Sequence, residues 1–163
     1  MVGNELEGKP DFCLGAVVSP GANPIEMQIM KLEKKVEAGA EFIQTQAVYD
    51  LSGFGEFMQK VQHLKVPILA GIVLLKSAGM ARYMNANVAG VTVPDDLIAR
   101  MAAAGAEDKK AKEEGRKGGN AVRTSIEIAV ELIQGLKPHC RGVHLMPLGW
   151  GHHVPKILEQ AGL

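Results

Sequence analysis

Lys35-Val36-Glu37-Ala38-Gly39-Ala40-Glu41-Phe42-Ile43-Gln44-Thr45-Gln46 decides the fold. It reads as the end of an amphipathic helix, a tight glycine turn and a short buried strand. The strand delivers an amide side chain, Gln46, at its C-terminal end. In a β/α barrel the C-terminal ends of the strands carry the chemistry, so a polar residue at that place is a site candidate.

Working outward, four continuous apolar runs read as parallel strands buried on both faces: Phe12 to Val18, Phe42 to Thr45, Pro67 to Ile72 and Gly142 to Met146. Val91 to Val93 is a candidate fifth extended piece. A helix is predicted from about Pro24 to Ala38, with Pro24 in its first turn, Ile25, Ile29, Leu32 and Val36 as the inward stripe, and Gly39 ending it. Leu51 to His63, Ser77 to Met84 and a short Asp95 to Ala104 read as further helices. Ala106 to Lys117 is rich in Lys and Glu and reads as solvated helix surface. Gly118-Gly119 interrupts the pattern, Ile126, Ala129, Val130, Ile133 and Leu136 resume an apolar stripe, and Val154 to Ala161 forms a last helix.

Strands alternating with helices at these spacings predict βαβ units and a parallel sheet. The expected fold class is α/β, a partial TIM-type barrel of about four βα units forming a single domain over residues 1–163. Such a half exposes two strand edges and one concave apolar face, which proteins normally cover.

The bulk numbers agree with one packed domain. The chain has 163 residues, 47% of them hydrophobic, which excludes a wholly disordered chain. Eighteen basic residues balance eighteen acidic ones, and nucleic acid would need a concentrated positive surface. The sequence has no apolar run of membrane-spanning length and no signal peptide at Met1-Val2-Gly3-Asn4-Glu5. Cys13 and Cys140 are expected to be buried reduced thiols, in a cytoplasmic protein.

In order and spacing, Gly15-Ala16-Val17-Val18-Ser19-Pro20-Gly21-Ala22-Asn23-Pro24, Lys35 to Gln46, Pro67-Ile68-Leu69-Ala70-Gly71-Ile72, Gly142-Val143-His144-Leu145-Met146 and Val154 to Leu163 resemble methylenetetrahydrofolate reductase. The likeness runs through nearly the whole chain and covers the C-terminal half of that family's barrel. It implies a flavin-dependent β8α8 enzyme that reduces 5,10-methylenetetrahydrofolate to 5-methyltetrahydrofolate. The hydride comes from a nicotinamide nucleotide or another donor and passes through FAD.

At matched positions, Gln46 resembles the glutamine that hydrogen-bonds the folate pterin. Lys35 resembles a lysine holding the FAD phosphates, and Gln44 a residue lining the cofactor. Ser19 and Asn23 fall where the family contacts FAD with a histidine and a tyrosine, so they are departures. Gln28 replaces a common acidic residue, Leu74 a common proline, and Arg116 to Ser125 is longer than usual for the family. The family's acidic catalytic residues lie on its first four strands and have no counterpart here. The resemblance therefore assigns this chain no catalytic residue. It implies a folate substrate and either a homo-oligomer or a complementary N-terminal half-barrel chain. The alternative is a non-catalytic half-barrel that binds folate or flavin, or docks on a methyltransferase or reductase partner.

Several residues have a plain reading beside the functional one. Gln46 also suits a strand-end amide capping the next loop, and Lys35 a helix C-terminal lysine favourable to the dipole. His139, His144, His152 and His153 lie near Cys140 in sequence but lack the paired spacing of a structural zinc site, so no metal is expected. Trp150, Tyr49 and Tyr83 are candidates for stacking on a ring, or simply core and rim. Gly71 and Gly90 mark either a close approach of backbone to ligand or only tight strand ends. Met27, Met30, Met58, Met80 and Met84 read as gap-filling core.

Overall fold

The computed structural model of the chain describes Gly8 and residues 11–163. Four strands, β1 (Gly15–Val18), β2 (Phe42–Ala47), β3 (Ile68–Val73) and β4 (Gly142–Met146), form one sheet in the order β1-β2-β3-β4. Every neighbouring pair is parallel. The helices are α1 (Ile25–Glu37), α2 (Leu51–Lys60), α3 (Ala78–Asn87), α4 (Asp95–Glu113), α5 (Asn120–Leu136) and α6 (Val154–Ala161). Strands and helices alternate as in part of a TIM-type barrel, with α3, α4 and α5 all falling between β3 and β4.

Local chemistry sets the helix ends. The side chains of Asp50 and Ser77 accept hydrogen bonds from Gly53 N and Met80 N, each at 3.1 Å, and so cap α2 and α3. Gly39 stops α1 at φ +101°, where its amide reaches the carbonyl of Val36. Asp95 and Asp96 open α4 while Lys110 and Lys112 close it, matching both ends of the helix dipole.

Burial splits each strand by its period of two. Ile43, Thr45 and Ala47 of β2, and Ile68, Ala70 and Ile72 of β3, are buried beneath the helical layer with Leu32, Phe54, Phe57, Ile133 and Leu136. The alternate set lies on the concave side. There Val17 is 55% exposed, Gln46 is exposed, and Phe42, Gln44, Leu69 and Val73 are half-buried. The expectation of strands buried on both faces is therefore corrected for β1, β2 and β4. Among the described residues, helices cover one face only.

Other expectations are corrected as well. The first strand starts at Gly15 rather than Phe12; Phe12 is 80% exposed, and Cys13 beside it is exposed, because among the described residues that segment pairs with no strand. Cys140 is half-buried, its thiol donating to the carbonyls of Leu136 and Gly142. Met27 and Met30 are exposed rather than core.

Val91–Val93 is not a strand. Its backbone is satisfied by a side chain: Val93 N donates to Asn85 Oδ1 at 2.7 Å, and Asn85 Nδ2 donates to Val93 O at 2.9 Å. The short fourth helix and the charged run are one helix, α4, of 19 residues. Its charged half is mostly exposed, but Ala111 is buried and Asp108 does structural work.

Asp108 caps α5 from a neighbouring element. Its Oδ1 accepts from Gly119 N and Asn120 N, both at 2.8 Å, and its Oδ2 from Ala121 N at 2.9 Å. These three backbone donors hold its carboxyl below the ordinary aspartate range. Arg100 ties α4 to α5 further on through paired bonds to Glu131 of 2.6 and 2.8 Å.

A group whose pKa is lowered on folding stabilises the fold above its unfolded value and loses that effect as pH falls through the folded one. Asp108→Asn is therefore expected to lower the melting temperature by a few degrees at neutral pH. Acidification through the carboxylate range should erase the difference between variant and parent. Thermal melts at both pH values check this.

Candidate functional site

The strand-end geometry at Gln46 starts from an irregularity in β2. Gln44 pairs with Leu69 and Ala47 with Gly71, so three residues of β2 advance against two of β3. Thr45, 2% exposed, fills the gap this leaves. Its Oγ1 accepts from Gly71 N at 2.9 Å and donates to Gln46 O at 2.7 Å, replacing the missing rung of the ladder.

The bulge presses β2 onto Gly71. A Cβ there would lie 2.4 Å from Thr45 O and 2.9 Å from Gln46 O. Of the two readings of Gly71, the tight strand end is the one that the packing of β2 on β3 accounts for. Beyond the bulge, Val48 N donates to Gly71 O at 2.8 Å, and the buried Tyr49 donates its hydroxyl to Val73 O at 2.8 Å. Burial pushes the Tyr49 phenol far above its ordinary value, so it remains a protonated donor pinning the loop to β3. With its ring enclosed, Tyr49 is core rather than a stacking surface.

The candidate site residues of the sequence occupy one strand, one loop and one helix. Gln44 is half-buried on the concave side, in register with Val17 on one side and Leu69 on the other. Gln46 is exposed, one residue before the end of β2. Lys35, on the last turn of α1, donates through Nζ to Val17 O at 2.5 Å. That bond places its ammonium at the edge of β1 away from β2, and an ammonium has three N–H donors to offer. Ser19, half-buried, accepts from Ala22 N at 3.2 Å across the β1–α1 loop, and Asn23 is exposed on the same loop. Val17 thus links Lys35 to Gln44, whereas among the described residues no hydrogen bond joins either to Ser19 or Asn23.

Between that loop and the start of α2 is a cavity of about 200 Å³, lined by Pro20, Gly21, Tyr49, Asp50, Gly90 and Thr92 among others. It opens at the C-terminal ends of β1 and β2.

Across the sheet, the turn after β4 holds Leu148 and Gly149, both at positive φ (+48° and +90°). Lys76, following β3, donates to Leu148 O and sits 5.4 Å from the centre of the Trp150 ring. Trp150 meets His153 edge-on at 5.8 Å, and His152 lies over His153 at 3.9 Å. Desolvation, then the charges of His152 and Lys156, hold the His153 imidazole below its ordinary value. His144 pairs with Gly71 and is half-buried. Burial raises the Cys140 thiol, which is the opposite of what a metal ligand needs. Among the described residues no three His, Cys, Asp or Glu side chains are grouped to hold a metal.

Sequence reasoning missed Thr45, Asn85, Asp108 and the Lys76–Trp150 contact. A lone threonine inside an apolar run was a usable signal for Thr45. Nothing local marks the others, whose partners lie eight to 74 residues away.

The family model described as methylenetetrahydrofolate reductase matches residues 11–162. "Methylenetetrahydrofolate reductase 2" of Schizosaccharomyces pombe is 27% identical over 169 residues, taking in 93% of this chain and 25% of that protein. "Methylenetetrahydrofolate reductase 1" of the same organism is 28% identical over 160 residues, taking in 94% of this chain and 25% of its own length. The chain thus spans about a quarter of the length of the curated relatives it matches.

Because carbonyl oxygens and not mobile side chains occupy the space beside Gly71, Gly71→Ala is expected to cost about 1–3 kcal/mol of stability. Urea unfolding of the variant checks this, and a neutral result would show that the β2 bulge gives way.

Proposed function

The chain belongs to the methylenetetrahydrofolate reductase family, and from that premise we propose that it forms the folate- and flavin-facing half of a methylenetetrahydrofolate reductase barrel. The observation that carries this reading is the exposed Gln46 amide at a strand end fixed by the Thr45–Gly71 bulge. A side chain meant only to cap the next turn would be engaged there. The cap of α2 is instead Asp50, which leaves Gln46 available to a ligand.

In this reading Gln46 donates to and accepts from the pterin edge of 5,10-methylenetetrahydrofolate, and so orients the carbon to be reduced. Its amide carries both kinds of group, as a ring with adjacent donors and acceptors requires. The candidate cofactor residues supply the donors that a phosphate-bearing, hydroxyl-rich group needs: an ammonium (Lys35), a hydroxyl (Ser19) and two amides (Asn23 and Gln44). FAD, when bound, would supply hydride transfer. Lys35 would turn its remaining N–H donors to the phosphates while staying bonded to Val17 O, and Gln44 would face the cofactor from the concave side.

Turning the bridging methylene into a methyl group takes a net hydride and a proton. None of the residues assigned here is an acid placed to give that proton. The proton donor is assigned to a complementary half-barrel chain or to another part of the assembled enzyme, in a cytoplasmic protein. Among the described residues no helix is long and apolar enough to cross a membrane.

The test is the visible absorbance spectrum of the purified chain after addition of FAD and desalting, together with folate titration of a Gln46→Ala variant. Retained flavin absorbance supports the reading. So does a folate dissociation constant raised roughly 2- to 12-fold, the equivalent of one neutral hydrogen bond, at unchanged melting temperature. A folded, colourless protein whose melting temperature ignores FAD would replace this reading with the non-catalytic module. If Gln46→Ala unfolds the chain, Gln46 is a structural cap and the site assignment fails.

A further inference from the structure

Gly90 lines the cavity described above, and the residues around it hold that side of the site. The linker between α3 and α4 is short and contains no regular structure, but it is heavily fixed. Val88 N closes α3 on Met84 O at 2.9 Å, and Val91 N turns back to Val88 O at 3.2 Å. Val91 and Val93 are buried, 4% and 1% exposed. Asn85 holds Val93 by both backbone groups, with bonds of 2.7 and 2.9 Å. An amide side chain that meets a residue's N–H and C=O together acts as a strand partner would, and it fixes the backbone without a strand.

That fixed linker presents Gly90, at φ +78°, to the β1–α1 loop. The fit leaves room for no side chain on either surface. A Cβ on Gly21 would lie 2.7 Å from Gly90 O. A Cβ on Gly90 would lie 2.9 Å from Ala22 Cβ and 3.2 Å from both Ala22 N and Ser19 Cβ. The loop so gripped carries Ser19 and Asn23, and the cavity of about 200 Å³ lies directly beside the contact, with Gly21 and Gly90 both in its wall.

We infer that the Val88–Val93 linker, locked by Asn85, is a clamp that positions the β1–α1 loop for ligand binding, with Asn85 as a positioning residue that touches no ligand itself. The ligand class is the one assigned to that loop above, a flavin nucleotide, so this part rests on the proposed function. The clamp works through pre-organisation. A loop held in its binding arrangement before the ligand arrives is not ordered at the ligand's expense, and apparent affinity falls in proportion to the fraction of time the loop is out of place.

Two substitutions open the clamp from opposite sides. Asn85→Ala frees Val93, and Gly21→Ala forces the two backbones apart where φ itself is unstrained. If one variant fails to fold, the other still answers. Asp108→Asn is the control, since it weakens the fold at the α4–α5 junction away from the loop. The first readout is amide hydrogen exchange on the intact chain without ligand.

Both variants are expected to speed exchange of the Ser19–Asn23 amides about tenfold or more, with β2, β3 and β4 unchanged. The control should leave the loop as it is. The second readout is FAD affinity by flavin fluorescence, expected to weaken roughly tenfold in the two variants and not in the control. Unchanged loop exchange in both variants, or equal acceleration in the control, overturns the clamp. Faster loop exchange with unaltered FAD affinity overturns its role in binding. A parent chain that takes up no FAD ends the cofactor reading separately, and loop exchange alone then decides whether the clamp exists.

Discussion

The hydrogen bond from Gly71 N to Thr45 Oγ1 is the constraint on which the rest of the site depends. It lets β2 carry one residue more than β3 without leaving a buried amide unpaired, which would cost about 1–3 kcal/mol. Alternation puts Gln46 on the same concave face as Gln44, and past the bulge Ala47, Val48 and Tyr49 all return to the core. Gly71 is part of the same arrangement, because only a residue without Cβ lets two carbonyl groups approach it so closely. Thr45, Gly71 and Gln46 are therefore a unit.

How much of this was legible in the sequence follows from how local each signal is. Helices with a cap, an apolar stripe and a terminal glycine were readable: α1 begins after Pro24 and stops at Gly39 as its pattern says. The α/β class and the four strands came from apolar runs between such helices, and the family from the ordered set of segments. Burial was misjudged because an apolar run reports hydrophobicity and not what covers it. Val17 and Phe12 look like core in sequence and are exposed, since among the described residues no element lies over them. Val91–Val93 was misread for a related reason. Two buried valines flanking one residue have a strand's composition, and only the distant Asn85 reveals that a side chain holds them. The positions proposed to meet ligand rest on the family likeness. The sequence could place Gln44 and Gln46 on one strand, but not show that a bulge separates their surroundings.

The two faces of the sheet state the energetic position of this half-barrel. One face buries a continuous core from Leu32 through Phe54, Phe57 and Ile133 to Ile157. The other leaves Val17 and part of Phe42, Leu69, Val73 and Met146 in contact with solvent. Among the described residues β1 is an edge strand, and a charge blunts it, for Lys35 caps the Val17 carbonyl. Lysine at a sheet edge is a recurrent means of discouraging indiscriminate strand pairing. The same side chain thus serves edge protection now and, in the proposed function, phosphate contact. The two are compatible because one carbonyl uses a single donor of the ammonium.

The reach of Asp108 has a consequence in time as well as in space. It sits eleven residues before Gly119, the first of the amides it accepts, and all its partners follow it in the chain. During synthesis from the N-terminus, Asp108 leaves the ribosome ahead of its three donors, and α4 reaches solvent before the first turn of α5 does. The nascent end of α5 then meets a ready-made negative terminus, which lowers the cost of nucleating a helix that must lie against three others. A cap carried on the preceding helix thus acts as a template, handing its order forward along the growing polypeptide.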